Sequence, residues 1–155
     1  MKQKNKHIFV FGIFAVDLSF YVDKKVKPGE TIIAKSSNIG PGGKASNQAI
    51  SARKLGASTT LITRLGNDNF NSYANSIWRR EKLFASTKID KNLPTGMAGI
   101  FIDDKTGENS VIVDPGASAH LSIDDFYSQK SKMKKGDIFL TQFEQSSDTT
   151  FAVLK

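Results

Sequence analysis

The 155 residues are 39% apolar and 24% charged and contain no cysteine, proportions of a single globular domain that exclude collagen-like, disordered and disulfide- or thiolate-held chains. No apolar run approaches the roughly 18 residues that cross a bilayer, and the opening MKQKNKHIFVFG enters a strand-like segment without a small-residue cleavage site, so a cytoplasmic protein with no membrane partner is expected. The net charge of +7 would suit nucleic acid if the cations gathered on one surface, but Lys2, Lys4 and Lys6 precede the first strand, Arg79, Arg80 and Lys82 end one predicted helix, and Lys130, Lys132, Lys134 and Lys135 end another; solvated helix ends and no nucleic-acid partner are expected.

The apolar run over 8–11 leads to Gly12 and predicts a central strand covered on both faces. Segments 18–22 and 30–38, split by Lys27-Pro28-Gly29, predict a hairpin or flap. Ala45, Ala49, Ile50 and Ala52 recur at helical spacing over 44–55, and Gly56 stands where a helix end takes positive φ. A short β-rich run over 59–63 follows. Phe70, Tyr73, Ala74, Ile77 and Trp78 then fit the i, i+3, i+4, i+7, i+8 pattern, with Asp68 available as a cap. Two strands over 97–102 and 110–113, joined by a loop rich in turn formers, predict a second hairpin. Ser122 and Asp125 form a capping-box-like helix start, Gly136 closes that helix, and the run over 138–140 predicts another strand. The segment 148–155 begins like a capped helix and stops after about two turns, as if the chain ended inside an element. Strand and helix alternate, which implies a parallel sheet, while the two hairpins imply a small separate sheet.

The densest chemical signal is Gly40-Pro41-Gly42-Gly43-Lys44-Ala45-Ser46-Asn47. Glycines at a strand-to-helix junction let backbone N–H groups and the positive helix end approach a ligand closely. A dinucleotide fingerprint fails because Pro41 removes an N–H and no acid lies near position 62. A P-loop fails because Asn38 replaces its first glycine and Ala45 its hydroxyl residue. Spacing alone leaves two readings equal, a tight turn that starts a helix or a ligand site. Asp17 lies past the first central strand and Glu144 past the strand over 138–140, so both carboxylates are expected at one rim of the sheet. With Asn47 and exposed N–H groups they would suit a neutral polyol, or they could cap loops. His7 and His120 lack neighbouring ligands and are taken as ordinary surface or loop residues.

These residues resemble the N-terminal half of the ribokinase family of carbohydrate kinases. The markers are Phe11-Gly12 through Asp17-Leu18, Lys27-Pro28-Gly29-Glu30-Thr31, Gly42 through Ala49 with Gly56 and Gly66, Thr95-Gly96 with Ala98, Asp114-Pro115-Gly116-Ala117, and Gln142-Phe143-Glu144. The resemblance implies a doubly wound, mostly parallel α/β sheet with a small β-sheet lid, its segments at about 18–38 and 96–114, and makes 1–155 the sugar-binding part of one domain. It implies that Asp17 binds sugar hydroxyls, that Gly42, Gly43, Lys44 and Asn47 line the pocket, that Ala98 and Ile100 cover it, and that Glu144 completes it. It further implies transfer of the ATP γ-phosphoryl group to a primary hydroxyl, the 5-hydroxyl of D-ribose or a related sugar, with Mg²⁺ and a monovalent cation, and a homodimer paired through the lid.

Three positions depart from the family pattern. Ala15 stands where a sugar-contacting Asn is usual, Ala45 where a glycine is, and Ser118 where an Asn is. The family's catalytic base is an Asp in a Gly-Ala-Gly-Asp motif that opens a late helix. The chain's one Gly-Asp pair, Gly136-Asp137, leads into a predicted strand, so no catalytic residue is assigned. A truncated, inactive sugar-binding half is expected, with a non-catalytic sugar-binding or lid-pairing remnant as the alternative.

Overall fold

In a computed structural model of the chain, residues 6–155 are described; the expectations for Lys2 and Lys4 fall outside them. Strands β1 (His7–Phe11), β4 (Ser58–Gly66), β5 (Phe84–Asp90) and β8 (Ile138–Thr141) form a parallel sheet in the order β5-β4-β1-β8. Strands β2 (Ala15–Val22), β3 (Ser36–Gly42), β6 (Thr95–Asp103) and β7 (Asn109–Gly116) form a second sheet in the order β3-β2-β6-β7. Its central pair β2–β6 is parallel and both outer pairs are antiparallel.

Strand alternation divides the core between the two faces of the parallel sheet. Val10, Leu61 and Leu65 face the helices α1 (Lys44–Lys54) and α2 (Asn69–Arg80), burying Ala49, Ala74, Ile77 and Trp78. Phe9, Phe11 and Ile62 face the other way, toward α3 (Ile123–Lys130) and α4 (Ser147–Leu154). The helix starts follow the sequence. Asp68 Oδ1 accepts from Asn71 N at 3.0 Å, and Ser122 with Asp125 makes a reciprocal capping box. For α4 the cap is Ser146, whose hydroxyl accepts from Thr149 N. No described helix is long and apolar enough to cross a membrane.

Three expectations are corrected and one further strand is added. β5 was not anticipated, because FASTKID carries Ser86, Thr87 and Lys88 on an edge strand that needs little apolar surface. Gly40-Pro41-Gly42 is the end of β3 and not a turn. β3 is an edge strand, where a proline lacking its N–H is tolerated. The second sheet takes its strands from 15–22, 36–42, 95–103 and 109–116, and residues 30–35, expected as part of a hairpin strand, are not strand. Finally, the cations do not remain scattered, since Lys6, Lys132, Lys134 and Lys135 line one cavity at the end of the parallel sheet where His7 and Phe84 begin their strands.

Candidate functional site

Only Gly12, Ile13 and Phe14 separate β1 from β2, so the chain passes directly from the parallel sheet into the smaller one. Asp17 therefore lies within a strand and not in a loop beyond one, its Cα opposite Gly40 of β3 and Ala98 of β6. Registered neighbours share a face, which puts Asp17, Ser19, Ala98, Ile100, Val111 and Val113 on one side of the smaller sheet. Ala98 is buried beside Asp17. Ile100 is one pair farther out and half-buried.

The glycines are fixed by what touches them. A Cβ on Gly42 would stand 2.0 Å from Asp17 Oδ1, so the carboxylate rests against the bare backbone there. Gly43 has φ +82°, and a Cβ on it would stand 2.5 Å from Ile13 O and 2.8 Å from Phe14 Cα. Gly43 is also the N-cap of α1 and has no side chain to satisfy the helix's first N–H groups. Glu144 satisfies one of them from beyond β8. Its Oε2 accepts from Lys44 N at 2.7 Å and its Oε1 from Lys44 Nζ at 2.5 Å. The sequence reading allowed this carboxylate to cap a loop; the structure has it capping the start of α1.

Asp17 and Glu144 come close enough to interact. Burial, and secondarily the charge of Glu144, raises the Asp17 pKa above its usual value. Asn47 is exposed one turn into α1, with its N–H donating to Gly43 O, and among the described residues no hydrogen bond occupies its carboxamide. Asp17, Gly42, Gly43, Lys44 and Glu144 are thereby brought to one place, with Asn47 and Ala98 on the elements that frame it and Ile100 at its outer margin.

One supporting contact went unassigned in the sequence. Gln142 Nε2 donates to Gln48 Oε1, and the Gln142 carboxamide packs over Gly12, where a Cβ would stand 2.4 Å from its Oε1. This ties the end of β8 to α1 two residues before Glu144. Both glutamines lie within family-like segments, the only signal that could have found them. Among the described residues, no three His, Cys, Asp or Glu side chains are grouped to hold a metal ion. What the arrangement offers is two carboxylate acceptors, an amide and an ammonium beside Gly42 and Gly43, a donor and acceptor set suited to a ligand rich in hydroxyls.

Residues 5–149 match the family model described as pfkB family carbohydrate kinase. The chain is 34% identical over 150 residues to a ribokinase of Dictyostelium discoideum, an alignment that covers 96% of this chain and 47% of the relative. It is 32% identical over 151 residues to a deoxyribokinase of Salmonella typhimurium, covering 96% and 48%. The ribokinase structure from Giardia lamblia superposes with a TM-score of 0.86 at 28% identity, covering 94% of this chain and 47% of that one. The chain spans about half the length of the curated relatives it matches.

Proposed function

Because the chain belongs to the pfkB family of carbohydrate kinases, we propose that it forms the sugar-binding part of a ribokinase-like domain that transfers the ATP γ-phosphoryl group to the 5-hydroxyl of D-ribose or a related sugar. The carrying observation is the Asp17 carboxylate seated on Gly42 within electrostatic reach of Glu144. Asp17 accepts hydrogen bonds from vicinal sugar hydroxyls, Asn47 adds a donor and an acceptor, and Lys44 and Glu144 bound the far side. Gly42 and Gly43 let the ring approach the backbone. Ala98 and Ile100 cover its apolar face. Ala15 offers the sugar no polar contact, which suits a substrate set that includes ribose and its deoxy relatives, the latter being the named substrate class of one relative.

These residues bind and orient; they do not supply phosphoryl-transfer chemistry. ATP with Mg²⁺ would supply the transferred group and neutralise its charge. Among the described residues no three His, Cys, Asp or Glu side chains come together as a ligand set for Mg²⁺. The 155 residues alone are proposed to be inactive. Val111 and Val113 are about half exposed on the lid face beside Ile100, which supports pairing of two copies through the lid, to be checked by sedimentation.

The test joins this chain to the C-terminal half of a ribokinase relative and measures ribose-dependent ADP release. Activity should appear in the chimera and fall in Asp17→Ala by roughly 10- to 150-fold in kcat/KM for a lost charge-assisted hydrogen bond, and in Asn47→Ala by roughly 2- to 10-fold for a neutral one. Wild-type kcat/KM in both variants would refute the sugar site.

A further inference from the structure

The end of the parallel sheet opposite Asp17 holds a cavity of about 710 Å³. Parallel pairing of β1 with β8 brings Lys6 and His7 beside residues 130 positions away, and the α3–β8 connection adds Lys132, Lys134 and Lys135. Phe9, Thr60 and Phe84 form the inner wall. Among the described residues, none of these four lysines has a carboxylate within 4 Å of its ammonium, and residues 1–5 contain no Asp or Glu. The one acid at the cavity, Asp137, is already engaged: Oδ1 accepts from His7 N at 3.1 Å and Oδ2 from Lys134 N at 2.9 Å.

The wall is ordered. The His7 ring is held between the Ser58 and Thr60 hydroxyls, each at 2.8 Å. Phe84, an aromatic that burial would favour, is instead 57% exposed at the start of β5. Lys132 Nζ stands 5.6 Å from its ring centroid. Four lysines against the single carboxylate of Asp137 leave the cavity an excess of positive charge that favours an anion. An exposed ring under one of them calls for a flat partner, and the volume is that of a site for a small organic ligand.

We infer that this cavity binds a small polyanion carrying a planar ring, of the nucleoside diphosphate class, with the ring against Phe84 and the phosphates among Lys132, Lys134 and Lys135. The inference is independent of the sugar site, which lies at the other end of β1.

Calorimetric titration of the full chain with ADP tests it, with inorganic pyrophosphate and adenosine as probes of charge and ring separately. ADP should bind saturably at one site, more tightly than either probe, without displacement by excess ribose. Joint Lys132→Ala and Lys134→Ala substitution should weaken ADP and pyrophosphate alike by about tenfold or more. Phe84→Ala should weaken ADP by about tenfold and leave pyrophosphate unchanged. Absence of saturable ADP binding, or binding unaffected by the lysine substitutions, overturns the site. Pyrophosphate matching ADP with Phe84→Ala silent would make it a generic polyanion patch, and displacement of ADP by a short oligonucleotide at far lower concentration would make it a nucleic-acid face; either result overturns the inference.

Discussion

Glu144 accepts two hydrogen bonds from Lys44, one from the backbone N–H at 2.7 Å and one from the ammonium at 2.5 Å. The residues are 100 positions apart. Since Gly43 brings no side chain to the N-cap, a carboxylate imported from the end of β8 meets the positive end of α1, where an anion is favoured. The same contact fixes where Glu144 can face a ligand.

Replacing Glu144 should therefore cost stability as well as binding. Glu144→Ala is expected to lower the unfolding free energy by about 1 kcal/mol, the usual loss for a missing helix N-cap. Lys44→Ala, which keeps the backbone N–H and removes only an exposed ion pair, should cost less than about 0.5 kcal/mol. Chemical denaturation of both variants checks the ordering; a larger loss for Lys44→Ala would contradict the capping role.

Gly42 and Gly43 should separate binding from folding. Gly43→Ala meets two backbone atoms and a positive φ, so a loss on the order of 2–5 kcal/mol is expected. Gly42→Ala meets only the Asp17 carboxylate, a side chain that can turn away. It should fold with a smaller loss yet bind ribose far more weakly in a ribose titration. Unimpaired ribose binding by Gly42→Ala would show that the seat of Asp17 is immaterial.

Asp17 makes stability depend on pH in a defined sense. Burial and Glu144 raise its pKa in the folded chain above the ordinary 3.8. The folded state thus holds the proton more tightly than the unfolded state. The associated stability is present below 3.8 and is lost as pH rises through the raised value. Asp17→Asn should consequently be more stable than the parent at pH 7, with the difference shrinking as pH falls through this window, and should lose sugar affinity throughout. Paired denaturation midpoints against pH give the answer. A variant less stable than the parent at pH 7 would reverse the assigned sign.

Arg64 and Asp125 form a mostly buried ion pair at 2.7 Å, with side chains 12% and 4% exposed. Asp125 also completes the capping box with Ser122. Asp125→Ala leaves the guanidinium without its counter-charge and should cost about 3–5 kcal/mol. The double variant with Arg64→Leu should recover part of that loss in thermal unfolding. If the two substitutions simply add, the ion pair is not the source of the loss.

Elements whose determinants are local were legible in the sequence. Asp68 with Ala74, Ile77 and Trp78 announced α2, and Ser122 with Asp125 announced α3. Elements whose determinants lie elsewhere were not. β5 depends on an existing neighbour, β4, to accept a half-polar strand. Gly40-Pro41-Gly42 looks like a turn until β2 lies alongside it. The carboxylates of Asp17 and Glu144 were both noticed, but the capping of α1 by Glu144 depends on parallel pairing of β1 with β8. That pairing also gathers lysines that appear dispersed along the chain.

The link between the two sheets, Gly12-Ile13-Phe14, is wholly buried. Asp17 is three residues beyond it, so the carboxylate stands near the anchored start of β2, an inner strand of the smaller sheet. Within the smaller sheet Asp17 is held closer to this buried link than Ser19 and Ile100, the next registered pair on the same face. On the proposed sugar-binding role, the conformational entropy of placing Asp17 is lost when the chain folds and not on binding. Substitutions along the lid's outer strands should accordingly alter how fast a sugar escapes, whereas those near Phe14 should alter whether the receiving geometry exists at all.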